Sequence, residues 1–283
     1  MTQTDERRHA PPGPREQDAI ESKTPISPPA VFAVIRRPGR RERMRPPRAR
    51  LPAGLIPAVA PGPSLLRDAL PRAHLPAADW RPLVENLGYT VGFVIVIMGR
   101  LQLFTENTIT AVMPVLEARL ARALRRLLRL WALVLFANLI GAAAFGTALW
   151  AAQTYDPALW RAAEAIAHHA TGHGAAESLF RGVGAGWLIA ALVWTMSTTE
   201  RAHLALIVLF TYVIALAGFT HVVAGTVEAT AVVLAGHMGP WAALTDSILP
   251  TLAGNILGGT VLFTLLAWAQ IRAELHRRRT GEG

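Results

Sequence analysis

Twice in this 283-residue chain an apolar run breaks at a polar Phe-Thr-x triplet, resumes, and is followed by a second apolar run carrying Asn-x-x-Gly. Phe104-Thr105-Glu106 stands 34 residues, Phe to Asn, before Asn138-Leu139-Ile140-Gly141; Phe219-Thr220-His221 stands 36 before Asn255-Ile256-Leu257-Gly258. Backbone at membrane depth must hydrogen-bond within the protein, so a broken helix is tolerated only where it is buried or lines a cavity. Duplicated units with interrupted helices point to a pathway near the bilayer midplane.

The apolar runs are long enough for that setting. A hydrocarbon core of about 30 Å takes about 20 helical residues, and the chain is 52% hydrophobic and 17% charged. Clear spans run from Leu87 to Leu103, with a short continuation Ile109 to Leu116, from Leu130 to about Ala152, and from Gly182 to Thr198. Further spans run from His203 to Gly218, resuming over Val222 to about Met238, and from Ile248 to Ile271. Hydropathy of this kind defines an all-α membrane protein and excludes a soluble one. The absence of cysteine excludes disulfides, thiolate chemistry and Cys-based metal sites. The Arg residues cluster beside apolar spans, so the net charge of +9 suits a bilayer surface and not nucleic acid. No enzyme is expected, because Glu106, His221 and Glu228 lack a nucleophile to form a catalytic set.

Arg counts set the topology. Residues 117–129 carry five Arg and the C-terminal tail four, whereas 153–180 and 239–247 share one. The first two segments, including the C-terminus, are therefore expected on the cytoplasmic side. Eight further Arg lie between Arg36 and Arg50, and placing them inside as well requires a span before residue 86. Leu51 to Leu66 is the candidate, yet it carries four prolines, each costing about 3 kcal/mol in a helix interior. The expected organisation is a disordered Arg/Pro-rich tail (1–50), a degraded first span and linker (51–85), a transmembrane transporter domain (86–271) and a basic cytoplasmic tail (272–283).

The breaks suggest the chemistry. Free N–H groups at half-helix N-termini attract anions. Phe104 and Phe219 are placed to form apolar constrictions, and Thr105 and Thr220 to offer hydroxyls to a solute. His221 sits at the second break with an ordinary pKa near neutrality, so sharing a proton there lowers the cost of moving a weak-acid anion through an apolar region. Glu106 takes the matching place in the first triplet, or else caps the resumed half-helix. Glu228, one to two turns past His221, joins the pathway or faces a polar contact between protomers. Asn138, Asn255, Gly141 and Gly258 read as structural, with small residues for close helix approach and amides for the broken backbone. His168, His169 and His173 read as a solvated surface in a polar external loop, and no metal or cofactor is expected. The Arg run 119–129 reads as a lipid-headgroup flank.

The segments GRLQLFTENT, NLIGA, RGVGAGWLIAALVW, GFTHVV and LPTLAGNILGG, in this order over about 86–271, resemble the formate/nitrite transporter family. The resemblance implies an aquaporin-like bundle of six transmembrane helices with inverted repeats and two interrupted helices, the first helix being degenerate or missing here. It implies a homopentamer in the inner membrane with a pore in each protomer, and small monovalent anions as substrates. Its central His maps onto His221 and its loop Thr onto Thr105. The chain departs from the family at Glu106, where a small residue is common, at Thr220, where an acidic one is common, and at Gly186, in place of an Asn that holds the His. A pore for small neutral solutes and a non-transporting degenerate member are the alternatives. Residues from about 38 to 70 stand where the family has its first apolar helix, and are expected to derive from a shifted reading frame. Translating the gene in its other two frames is expected to show an apolar stretch of about 20 residues; its absence from both frames contradicts this origin.

Overall fold

A computed structural model describes residues 26–44, 69–116, 120–199 and 201–280. The described residues are helical, with no strand among them. Helix α1 is Pro28–Met44 and α2 is Arg81–Met98; two single turns, α3 (Asn107–Thr110) and α4 (Met113–Leu116), lead to the long α5 (Leu120–Ala151). Then come α6 (Pro157–Thr171), α7 (Ala175–Met196), α8 (His203–Leu216) and α9 (Val222–Leu234). The last rod joins α10 (Leu249–Ile256) to α11 (Leu266–Thr280) through a π-helical stretch, Leu257–Leu265. Among the described residues, four helical stretches are long and apolar enough to cross a bilayer: Arg81–Met98, Ala121–Thr154, Ala175–Met196 and Pro240–Ala273. Asn107–Leu116, His203–Leu216 and Val222–Leu234 are shorter and apolar.

Two repeats are visible. In the first, α2 breaks, α3 and α4 resume, and α5 follows. In the second, α7 opens, α8 breaks, α9 resumes and the last rod follows. The candidate first span, 51–66, and most of the segment assigned to a shifted frame lie outside the described residues. The half-helices exchange partners between the repeats. The α9 half-helix packs on α5, and α3 packs on the last rod, where Thr260 Oγ1 donates to the Thr108 carbonyl at 2.8 Å.

Two expectations are corrected. The tail over 1–50 contains α1, whose buried Val31, Phe32 and Ile35 share one face and pack with Ile109, Met113 and Ile271. Phe32 also stacks on Trp268 at 4.9 Å between ring centroids. That apolar stripe sits among too many arginines to register as a span, yet it suffices to dock a helix. The external loop 153–180 contains α6, which Asp156 caps by accepting the Leu159 N–H at 3.0 Å. Trp160, Ala163 and Ala167 are buried on α6. Within the Arg run, Arg122, Arg125, Arg126 and Arg129 stand exposed on the first turns of α5, while Ala123, Leu127 and Leu130 are buried.

Helix α7 crosses α10 and the π-helical stretch after it closely on small residues, Gly182 and Gly186 against Gly254 and Gly258. A Cβ at Gly186 would lie 2.7 Å from the Asn255 Cα, and one at Gly182 would lie 2.8 Å from the Thr251 carbonyl oxygen. Gly186 therefore touches backbone and has no room for the amide common in the family. Overpacking costs about 1–3 kcal/mol or more, so Gly186→Leu is expected to lower thermal stability in detergent by at least that amount; an unchanged melting profile contradicts the crossing.

Candidate functional site

Both breaks use one piece of hydrogen-bond chemistry. Helix α2 ends with Leu101 N–H on the Val96 carbonyl (2.9 Å) and Arg100 in the left-handed region at φ 52°. Helix α8 ends with Phe219 N–H on the Ile214 carbonyl (3.0 Å) and Gly218 at φ 64°. These are six-to-one caps with a left-handed residue before the last donor. Beyond each, an asparagine from the third helix of the same repeat bridges the gap. Asn138 Nδ2 donates to the Gln102 carbonyl at 3.1 Å and its Oδ1 accepts the Phe104 N–H at 2.9 Å. Asn255 Nδ2 donates to the Thr220 carbonyl at 3.0 Å and its Oδ1 accepts the Val222 N–H at 2.9 Å. The second amide also reaches the Gly182 carbonyl at 2.9 Å.

This pairing corrects the register of the repeat. The caps match Leu101 to Phe219, and the asparagines match Gln102 to Thr220 and Phe104 to Val222. The residue spanned by each amide is Leu103 in one half and His221 in the other. Asn138 follows Leu103 by 35 residues, and Asn255 follows His221 by 34. The two Phe-Thr-x triplets are therefore three positions out of step, and Glu106 corresponds to Ala224, not to His221. Glu106 stands at the start of α3 and makes no capping bond. Its Oε1 is buried without a hydrogen-bond partner among the described residues.

The breaks meet at one contact, Thr105 Oγ1 to His221 Nε2 at 2.7 Å, with both residues buried. On the other side of the ring, Nδ1 faces the Ala224 N–H at 3.5 Å. Nδ1 is thus the acceptor, so the neutral ring carries its proton on Nε2 and donates it to the Thr105 hydroxyl, leaving the threonine O–H free to donate elsewhere. The edge of the Phe93–His221 pair is at 86°, centroids 5.1 Å apart, and Tyr89 stacks on Phe93 at 5.1 Å.

A cavity of about 710 Å³ leads to His221 from the end of the bundle opposite the Arg122–Arg129 run. His221, Ala224, Gly225 and Glu228 line it from one face of α9, and Phe219 and Thr220 from the break. Glu85, Asn86 and Tyr89 line it from α2, and His168, His169 and His173 stand at its mouth with Arg72, Arg81 and Arg181. Arg81 pairs with Glu85 at 2.8 Å, and Arg72 with the same carboxylate at 3.6 Å. Partial burial, reinforced by the Arg181 charge, holds His173 below the ordinary histidine range.

Of the residues singled out in the sequence, the fold thus brings His221, Thr105, Phe219, Thr220 and Glu228 together. Phe104 lies elsewhere: it is buried edge-on against Trp131, centroids 5.7 Å apart. Phe93 is the aromatic ring beside His221. Gly258 sits in the crossing of α7 with the last rod and Gly141 is buried on α5. Sequence reading missed Tyr89, Phe93 and Arg181. The first two lie at i, i+4 on α2, with Pro82, Glu85 and Asn86 continuing that face, so the signal was helical spacing inside a span read only for its hydropathy.

Interrupted helices, a buried polar contact between them and a cavity ending on it define a multi-pass membrane protein of the transporter and channel class. The sequence model of the formate/nitrite transporter family, which comprises transporters and channels and not enzymes, matches residues 31–269. The chain belongs to the formate/nitrite transporter family. It is 37% identical to inner membrane protein YfdC of Escherichia coli K12 over 265 residues, covering 93% of this chain and 84% of that relative. It is 27% identical to formate channel BtFdhC of Bacillus thuringiensis, over 64% of this chain and 71% of the relative. The fold is similar to that of a solved pentameric formate channel with formate bound, at a TM-score of 0.67 and 18% identity, covering 80% of this chain and 97% of that one. A solved ion channel of the same family gives a TM-score of 0.71 at 17% identity, covering 85% and 98%.

Removing one partner from a buried hydrogen bond costs about 1–3 kcal/mol per orphaned group. Asn255→Ala leaves three described backbone groups without their partner, and Asn138→Ala leaves at least two. Both are expected to lower thermal stability in detergent; equal stability of either variant and the parent contradicts the bridging role.

Proposed function

We propose that this protein carries small monovalent anions of weak acids, formate or nitrite in type, through a pathway within each protomer, with proton exchange at His221. The observation that carries the proposal is the 2.7 Å contact between Thr105 and His221, where the two breaks close the end of the cavity. An anion arriving from the cavity meets the free O–H of Thr105 beside the imidazole. A proton added at Nδ1 replaces the weak 3.5 Å bond to Ala224 and gives an imidazolium. The imidazolium attracts the anion, passes it a proton and returns to the neutral ring, while the acid so formed continues uncharged past Phe93. Neutralising the anion removes most of the cost of passing an apolar constriction. Phe219, Thr220 and Glu228 shape the approach, and Asn138 and Asn255 hold the two breaks in place.

The same reading takes the assembly as a homopentamer in the inner membrane with its C-terminus in the cytoplasm. Supporting it are the pentameric formate channel among the solved neighbours, the relative named an inner membrane protein, and the Arg-rich start of α5. A pore for small neutral solutes is the second reading, favoured by one observation: the carboxylate oxygen of Glu106, next to Thr105 in the chain, has no hydrogen-bond partner among the described residues. Uptake of uncharged solutes by proteoliposomes without anion flux selects it.

Formate flux in proteoliposomes is expected to depend on pH. It is expected to fall at least ~10-fold in His221→Phe, a barrier rise of about 1.4 kcal/mol, and less in Thr105→Val. Flux in His221→Phe equal to that of the parent removes the role given to His221.

A further inference from the structure

The second break is held from a direction that neither asparagine supplies. Gly218 is left-handed, and its carbonyl, at the C-terminal end of α8, points across to α7. There Arg181 Nη1 donates to it at 2.8 Å, over a separation of 37 residues. The guanidinium is fixed in turn by Glu177, one turn earlier on α7, whose Oε1 accepts from Nε at 2.8 Å and lies 2.7 Å from Nη2. His173 Nδ1 lies 3.2 Å from the same oxygen. Two residues past Gly218, the Thr220 hydroxyl donates to the Ser178 carbonyl at 3.0 Å. Phe219, between these two ties, packs on α7 so tightly that a Cβ at Gly184 would lie 2.7 Å from its ring.

The first break is built differently. Arg100 occupies the place of Gly218 there. In the second half, the broken strand from Gly218 to His221 is pinned to the first turns of α7 at Gly218 and Thr220, with the Phe219 ring between the pins. The place of the His221 ring is then set by α7 as well as by Asn255. A planar guanidinium can span a carboxylate and a carbonyl at once, whereas an ammonium is a point donor with no fixed fork.

We propose that Arg181 is a positioning residue for the anion pathway: it bridges Glu177 and the Gly218 carbonyl, and thereby fixes the broken strand that carries Phe219 and His221. The proposal rests on the transport reading above for its consequence, but its geometry is measurable without transport.

The absence of cysteine supplies the probe. Gly225 lines the cavity one turn past His221, and a Cβ there meets nothing within 4 Å, so Gly225→Cys adds a single thiol with little disturbance. Its labelling rate by a membrane-impermeant maleimide is measured in the parent, Arg181→Gln, Arg181→Lys and Glu177→Gln backgrounds, each checked for assembly and melting temperature. Arg181→Gln is expected to change the rate about 5-fold, with Glu177→Gln intermediate and Arg181→Lys nearest the parent, a graded pattern typical of a positioning group. In Cys-free protein, Arg181→Gln is expected to lower maximal formate flux about 10-fold at an unchanged half-saturating concentration, the split of an interaction that does not bind the ground state. Labelling unaffected by all three substitutions overturns the proposal, as does a change confined to the half-saturating concentration, which makes Arg181 a direct anion ligand. If the parent carries no formate while labelling still responds to Arg181, the transport reading fails and the positioning role stands.

Discussion

Everything at the centre of this protein depends on supplying hydrogen bonds to backbone that leaves the helix inside a membrane. Water cannot do this at that depth, and an unsatisfied peptide group there costs several kcal/mol. The fold answers with two asparagines, each donating to the carbonyl before the break and accepting from the N–H after it. Because Asn138 and Asn255 lie on the third helix of their own repeats, the long α5 and the last rod become the frames on which the breaks are held. The Gly182/Gly186 and Gly254/Gly258 crossing then brings α7 close enough for Asn255 to reach the Gly182 carbonyl as well.

Once the breaks are held, their side chains can be used. The bridged residue is Leu103 in one half and His221 in the other, so the duplication supplies two equivalent backbone positions and only one titratable ring. Thr105, two residues past Leu103, reaches across to that ring. The result is asymmetric function on a symmetric frame. The cavity ends on an imidazole that has one ring nitrogen facing a donor N–H, the other on a hydroxyl, and an aromatic neighbour in Phe93.

Much of this was legible in the sequence. The interrupted spans and Asn-x-x-Gly follow from residue types that a membrane does not tolerate by accident, whereas the contact of His221 with Thr105 emerges only from the fold. What was misread shows the limit of pattern matching. Phe-Thr-Glu and Phe-Thr-His look like copies, but backbone hydrogen bonding, which sets the true register, leaves no mark on side-chain identity, and the match came out three residues off. Phe104 was placed at a constriction for that reason and is packed on Trp131 instead. Helix α1 escaped notice because three apolar residues in an Arg-rich segment dock a helix without giving a hydropathy signal. Arg181 escaped because its partner is a carbonyl 37 residues away, which only the fold brings near.

The central claim is that an anion crosses this site paired with a proton exchanged at His221. The direct measurement is the proton-to-anion ratio in voltage-clamped proteoliposomes holding a luminal pH dye, with formate as the probe. The account predicts one proton entering per formate and no net current. Formate entering as a current, with the luminal pH unchanged, would contradict it.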